Sequence, residues 1–422
     1  MSTGLDGVTI PSEWSWVPLS TVTTVLRRGT APEYVDEGAL RVVGQASNQD
    51  SGIDWERARF HEFKGDARKL KGYLVERDVI VNSTGTGTLG RVGHFLGAPD
   101  SLPCIADSHV TVVRPNPEIL NSRYLYYYLS SAPYQHYMMS ALVTGATNQI
   151  ELSPDRMGSS SISLPGLEEQ RRIADFLDVE TSYLDGISKK RLRQLQLVRS
   201  RTYSVMEEEL GPLFDNAPSV RLSSLFCETD VRLGAASPPV LLSVSIHFGV
   251  APYDEINDRP PRADGFDSYK VCRRGDLILN RMRAFQGAVG ISRQGGIVSP
   301  DYAVLRPQKG VDPKFLHYLF RSPRVISGMS SVIRGIGSEE QGNVRTPRVN
   351  VSDLKYICVP DLNQDCQFAI ASRLEHSTED QDRLVHSISR QVELLAERRQ
   401  TLVTAAVTGE LDVTTARSGV RA

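Results

Sequence analysis

Residues Tyr128–Gly145 read YLSSAPYQHYMMSALVTG, and 190 residues later Tyr318–Gly335 read YLFRSPRVISGMSSVIRG. Without a gap, 6 of the 18 positions coincide (Tyr, Leu, Pro, Met, Ser and Gly). Ordinary residue frequencies supply about one such match by chance. Shorter pairs follow the same order at nearby offsets: RDVIVN (77–82) with GDLILN (275–280), VTVVRP (110–115) with YAVLRP (302–307), and ISLP (162–165) with ICVP (357–360). Ordered pairs mean duplication. Each copy begins with short β-branched runs bounded by Gly or Pro: Val79–Val81, Val92–Phe95 and Val110–Val113, then Leu277–Leu279, Val289–Ile291 and Ala303–Leu305. A helix over Leu120–Leu129 or Pro313–Phe320 comes next, stopped near Pro133 or Pro323. A period near 195 residues is far too long for a solenoid. The reading is therefore two domains of one kind, each mixed α/β, in an internal pseudo-two-fold repeat.

Each domain runs into a long helical arm. LPGLEEQRRIADFLD (164–178) opens the first, and VPDLNQDCQFAIASRLE (359–375) opens the second. Thr181 can cap a helix that Gly211 can end. Leu184, Ile187, Leu195, Val198, Thr202 and Val205 make one stripe, interrupted by Arg191. In the second arm the stripe is Leu384, Ile388, Val392, Leu395, Leu402 and Ala406, interrupted by Arg399. Two arrangements bury such stripes: the arms pair as an antiparallel coiled coil, or each arm packs on its own domain. The 29 residues from Thr181 to Glu209 span roughly 43 Å of helix. That is close to the ~34–36 Å between half-sites of a two-headed DNA reader.

The chain has 422 residues, 40% hydrophobic and 23% charged, which suits a globular protein with two cores. Its 5 cysteines are scattered with no C-x-x-C pair, so neither a zinc ribbon nor a redox motif is supported. Free cysteines suit a reducing compartment. The N-terminus lacks the pattern of a signal peptide, and no apolar run reaches membrane-spanning length. A cytoplasmic protein without a membrane partner is expected. With a net charge of −2, any DNA binding must rely on local basic charge.

That charge is concentrated in the second copy. From Lys270 to Arg348, 14 Lys and Arg stand against 5 Asp and Glu. Arg281 and Arg283 follow a strand directly and can fork onto guanine O6 and N7. The loop GSEEQGNVRTPR offers Gln341, Asn343 and Arg345, and its counterpart GATNQ offers Asn148 and Gln149. Amides suit adenine, though they are also ordinary turn residues. In the first copy GTGTLGR lacks the Lys-Ser/Thr of a phosphate loop. It reads as a glycine-rich hairpin, or as one whose Ser83, Thr84, Thr86, Thr88 and Arg91 meet DNA. Between Leu70 and Arg123 there is no basic surplus. The first arm carries exposed-type cations at Lys189, Lys190 and Arg193, fit for DNA or an acidic partner surface. Tyr124, Tyr126, Tyr127 and Tyr128 spread around a helix, so core packing is expected of some; Trp14 and Trp16 read as packing anchors. No H-E-x-x-H, no G-x-S-x-G and no Asn/Asp-Pro-Pro-aromatic motif occurs, so no catalytic or metal-ligating residue is assigned.

The order strand, LP, LEEQRRIADFLD, long helix resembles the specificity (S) subunits of type I restriction–modification enzymes. So do LAERRQTLVTAAVTGELD (395–412), RDVIVNSTGTGTLGRVG (77–93), GDLILNRMRAFQGAVG (275–290) and WSWVPLSTVTTVLRRGTAP (14–32). The resemblance implies target-recognition domains at 1–163 and 212–358, helical spacers at 164–211 and 359–413, and a tail at 414–422. It implies a non-catalytic subunit that binds a bipartite target in double-stranded DNA. The helices, with Leu184, Ile187, Leu195, Val198, Leu384, Ile388, Leu395 and Leu402, would dock methyltransferase (modification) subunits, and restriction subunits would join through the complex. S-adenosylmethionine, ATP and Mg would sit on those partners, with no cofactor in this chain. One departure stands out: Leu167 to Gln170 becomes Leu362 to Gln367, two residues longer. The other classes weighed are a single-chain DNA-processing enzyme, such as a nuclease, and a purely structural scaffold.

Overall fold

The computed structural model describes residues 4–5, 7–85, 87–145, 150–237, 239–246, 249–256, 261, 265–333 and 348–415. The chain forms two units that do not follow its linear order: Met1–Ser188 with Glu393–Ala422, and Lys189–Val392. Strands β1 (Thr23–Arg28), β2 (Val79–Asn82), β3 (Val92–His94) and β4 (Val110–Pro115) form the main sheet of the first unit, followed by α1 (Ser122–Ser130). The long helix α2 spans Leu167–Asn216. The second unit holds β5 (Phe226–Thr229), β6 (Leu277–Asn280), β7 (Val289–Ile291), β8 (Tyr302–Pro307) and α3 (Pro313–Arg321). Helix α4 spans Gln364–Thr408.

Both sheets are antiparallel and have one order, β1-β4-β2-β3 and β5-β8-β6-β7. Their registers agree: Val110 lies opposite Asn82, and Tyr302 opposite Asn280. Each unit also pairs its entering strand with the strand before its long helix, Ser15–Pro18 with Ser161–Leu164 and Ser219–Arg221 with Cys358–Pro360. The units differ in what is added. The first carries a further four-stranded sheet that includes Leu40–Val43 and Cys104–Ala106; the second carries two two-stranded sheets, Leu242–Ser245 with Gly249–Pro252 and Lys270–Cys272 with Gly296–Val298.

The helix after each sheet forms because its start is capped. Asn121 Oδ1 accepts from the Arg123 and Tyr124 amides at 2.9 and 3.1 Å, and Asp312 Oδ1 from Phe315 at 2.8 Å. Ser322 is extended because Pro323 follows, which ends α3. The apolar faces of these helices fill the cores. Tyr124, Leu125, Tyr128 and Leu129 pack with Val79, Val81 and Val113; Phe315, Leu316, Leu319 and Phe320 pack with Leu277, Leu279 and Leu305. The tyrosine run is thus largely core, with hydroxyls satisfied inside: Tyr124 donates to the Ser163 carbonyl at 2.9 Å and Tyr128 to that of Ser161 at 3.1 Å. Trp14 is buried in the same core.

Each long helix is pinned by a buried glutamine in its first turn. Gln170 Oε1 accepts from the Asn121 amide at 2.8 Å, and its Nε2 donates to the Pro165 and Ile119 carbonyls. Gln367 Oε1 accepts from the Asp312 amide at 2.9 Å, and its Nε2 donates to the Leu362 carbonyl. Both are the fourth residue of their helix. The two residues added in the second copy are therefore absorbed before the helix begins, and the clamp keeps two bonds in both copies, one from the amide ahead of the preceding helix and one to the carbonyl five residues before the glutamine.

The expected bounds of the first arm need correction. Thr181 does not cap a helix: α2 has already run 14 residues, and the buried Thr181 hydroxyl donates back to the Leu177 carbonyl at 2.6 Å. Gly211 does not end it, since α2 passes through Gly211 and Pro212 to Asn216. A Cβ at Gly211 would meet Glu207 Oε1 at 2.8 Å; the bare position leaves room for Arg324 to bridge Glu207 and Asp215.

The arms meet in each unit. In the second, Leu195 and Val198 pack with Val385 and Ile388, and Arg373 Nε lies 2.9 Å from Glu209. Numbers rise along α2 as they fall along α4, so these segments are antiparallel. In the first, Arg399 Nε lies 3.1 Å from Asp185, and Val403, Ala406 and Val407 of α4 join Ile173 and Leu177 of α2 in the core. Leu184 is buried, Ile187, Leu395 and Leu402 are half-buried, and Leu384 is exposed. Leu384, expected on the buried stripe, lies one position off it. Val385, three residues before Ile388, takes that place, and spacings of three and four are both allowed on a helix face.

Candidate nucleic-acid interface

One end of each main sheet gathers the segments that carry candidate residues. In the first unit the chain leaves β2 at Asn82. The Ser83 amide donates to the His109 carbonyl at 2.8 Å, and the Leu152 amide donates to the Ser83 carbonyl at 2.8 Å. The glycine-rich turn, the turn before β4 and the segment ending at Leu152 are thereby tied at one point. In the second unit the Val349 amide donates to the Arg281 carbonyl at 2.9 Å, so Arg281 holds the position of Ser83.

The candidates at this end divide. Ser83 is fully buried, its hydroxyl 2.5 Å from that of Thr111, so it is a structural residue and not a DNA contact. Arg281 is also engaged, its guanidinium donating to the Val349 carbonyl at 3.4 Å and to Asn350 Oδ1 at 3.2 Å. Arg91 is held by the Asn48 carbonyl, Gln49 Oε1 and Asp50. It lines a cleft of about 300 Å³ with Tyr126, Gln135 and Arg399. Thr88 donates to the Thr84 carbonyl at 3.3 Å. Thr84 is half-buried. Arg283 is exposed, and among the described residues nothing pairs with its guanidinium. Thr86, Asn148, Gln149, Gln341, Asn343 and Arg345 lie outside the described residues. On α2, Lys189, Lys190 and Arg193 are exposed.

The structure adds residues that the sequence did not single out. Asn48 and Asn82 are buried side by side, Asn48 Nδ2 donating to Asn82 Oδ1 at 3.0 Å, while Asn82 Nδ2 donates to the Gln45 carbonyl at 3.2 Å. Tyr34 donates to Asp107 Oδ2 at 3.1 Å, and Asp107 Oδ1 accepts from the His109 amide at 2.8 Å. Burial raises the Asp107 carboxyl above its ordinary range and, with the charge of Asp107, pushes Tyr34 up to about 12. The Arg59 guanidinium lies 4.0 Å from the Tyr34 ring centroid. Among the described residues no group of three or more His, Cys, Asp or Glu is placed to hold a metal ion. No described helix is long and apolar enough to cross a membrane.

Residues 11–197 match the family of type I restriction modification DNA specificity domains. The specificity subunit of the type I restriction enzyme EcoKI from Escherichia coli K12 is 22% identical, over 95% of this chain and 90% of its own length. The stretch 11–197, 187 of the 422 residues, is what the chain shares with the family model. The specificity subunit of StySPI from Salmonella potsdam is 26% identical over 46% of this chain and 41% of its own. A chain from a solved type I restriction–modification system shares the fold, with a TM-score of 0.54, 18% identity and coverage of 95% and 99%. The family model is one of DNA specificity, and both relatives are specificity subunits. The tied sheet ends described above present polar side chains in both units.

Proposed function

We propose that each unit reads one half of a split target in double-stranded DNA, that the two helical arms set the gap between the halves, and that the arms carry methyltransferase subunits through which restriction subunits join. The observation that carries this reading is the recurrence of one sheet order and one tied end in both units, with different side chains at each. One main-sheet order with different tips suits two unlike half-sites. Phosphate contacts from the basic second unit set position, and side chains in the groove read bases. Arg283 suits a guanine edge, because a free guanidinium fork matches O6 and N7. S-adenosylmethionine, ATP and Mg belong to the partner subunits, which supply the chemistry.

Selection from random duplex DNA by this chain, co-expressed with its modification subunit, tests the reading. Two short motifs at one fixed separation are expected. One continuous motif, or no preference, would contradict it.

A further inference from the structure

Gln45, Thr84 and His109 are far apart in sequence and joined in space at the tied end of the first unit. Thr84 Oγ1 lies 2.8 Å from His109 Nδ1 and 3.5 Å from Gln45 Oε1. Each partner is held from behind. The His109 amide is fixed by the buried Asp107 carboxylate, itself bonded by Tyr34. The Gln45 carbonyl accepts from the buried Asn82. Gly85 closes the loop over the amide: at φ +99° its Cβ would stand 2.3 Å from Gln45 Oε1 and 2.5 Å from Thr88 Oγ1. Any side chain at Gly85 would displace the group.

A cluster that served only packing would be covered and saturated. This one is open. His109 is exposed, Gln45 is half-buried, and among the described residues neither His109 Nε2 nor Gln45 Nε2 has a partner. The single hydroxyl proton of Thr84 also sets what His109 offers. When Thr84 donates toward Gln45 Oε1 it accepts from Nδ1–H, and Nε2 presents a lone pair. When Thr84 donates to Nδ1, Nε2 presents N–H. An oriented amide and an oriented imidazole edge, backed by buried supports, form a preorganised hydrogen-bonding surface.

We propose that Gln45 and His109, oriented by Thr84, are specificity-determining residues that read a base edge in the half-site of the first unit. Adenine is the base whose N6 and N7 a glutamine amide matches with two bonds. In the second unit the register places Met282 and Asp301 where Thr84 and His109 stand, and Asp301 is paired with Arg348 at 3.2 Å. The cluster therefore belongs to one half-site alone. The assignment rests on the two-headed reading above and goes beyond it by naming which residues discriminate.

The test is random-duplex selection, with binding to the selected target, by the full chain co-expressed with its modification subunit. Gln45→Ala and His109→Ala are expected to erase preference at one or two adjacent base pairs of one half-site and to weaken cognate binding about 5- to 150-fold. Thr84→Val, which removes only the hydroxyl, relaxes the same position to a smaller degree. Arg283→Ala changes the other half-site and leaves this one intact. An unchanged motif in all three cluster variants would overturn the assignment. So would a uniform loss of affinity with the motif preserved, which marks phosphate contacts. Should a variant lose both half-sites through misfolding, His109→Asn decides between a shifted base preference and an unchanged one. A wild-type selection with no split motif would remove the two-headed reading and this assignment with it.

Discussion

Deleting residues 393–422 is expected to unfold the first unit, although every deleted residue follows the whole of the second. Val403, Ala406 and Val407 are at most 1% exposed and belong to the core built by α1 and its sheet. Burying one valine side chain contributes about 1.5–3 kcal/mol. The Val407 carbonyl also accepts from Ser163 Oγ at 2.8 Å and Tyr124 at 3.4 Å, and Gln400 donates to the Ser130 carbonyl at 3.1 Å. Without the last part of α4 those donors and the core face would be open. The loss is on the order of 5 kcal/mol or more, comparable with the whole stability of a domain. Among the described residues, the core of the second unit contains none beyond Leu374, and its arm contact none beyond Ile388. Calorimetry of the deleted chain should show one cooperative transition lost and the other kept. Retention of both would contradict the division of the chain.

Asp78→Ala should cost the first unit about 3–5 kcal/mol, the usual result of leaving one partner of a buried ion pair alone. Asp78 is fully buried, and Arg114 grips it with Nε and a terminal nitrogen, each at 2.7 Å. The carboxylate also accepts from the Val75 amide at 2.9 Å, which closes the turn into β2. Asp276 repeats this arrangement with Arg306 at 2.9 and 2.8 Å and with the Arg273 amide. Arg306 is 35% exposed against 27% for Arg114, so Asp276→Ala should cost somewhat less. Urea unfolding of the two variants measures both. A cost under about 1 kcal/mol, typical of an exposed pair, would show that solvent already screens the pair.

The paired strands and helices were legible because their signals are local. Short β-branched runs, a capping Asn or Asp before an apolar face, and a second copy in the same order need no tertiary information. Other features are tertiary. Thr181 carries a capping side chain in a stretch with no helix breaker, and the packing of Tyr127 against it decides that the helix runs on; their hydroxyls lie 3.1 Å apart. Leu384 and Val385 are equally apolar, and only the facing Leu195 chooses between them. Ser83 looked like an exposed loop hydroxyl, but the return of the chain at Leu152 covers it. Gln45 and His109 had no sequence signal, because only the sheet register brings residues 64 positions apart to one hydroxyl. Gln170 and Gln367 did have one: both copies keep a glutamine near the start of the arm despite the two added residues between.

The affinity of the chain, with its modification subunit, for duplexes in which the two selected half-sites are moved apart one base pair at a time probes the two-headed reading most directly. Each added pair shifts a half-site by about 3.4 Å and turns it by roughly a tenth of a helical turn. Two reading units joined by helical arms require one gap length to bind best, with a single added or removed pair costing at least about tenfold, or ~1.4 kcal/mol. Equal affinity across all gaps, or binding to one half-site as tight as to the full target, would contradict it.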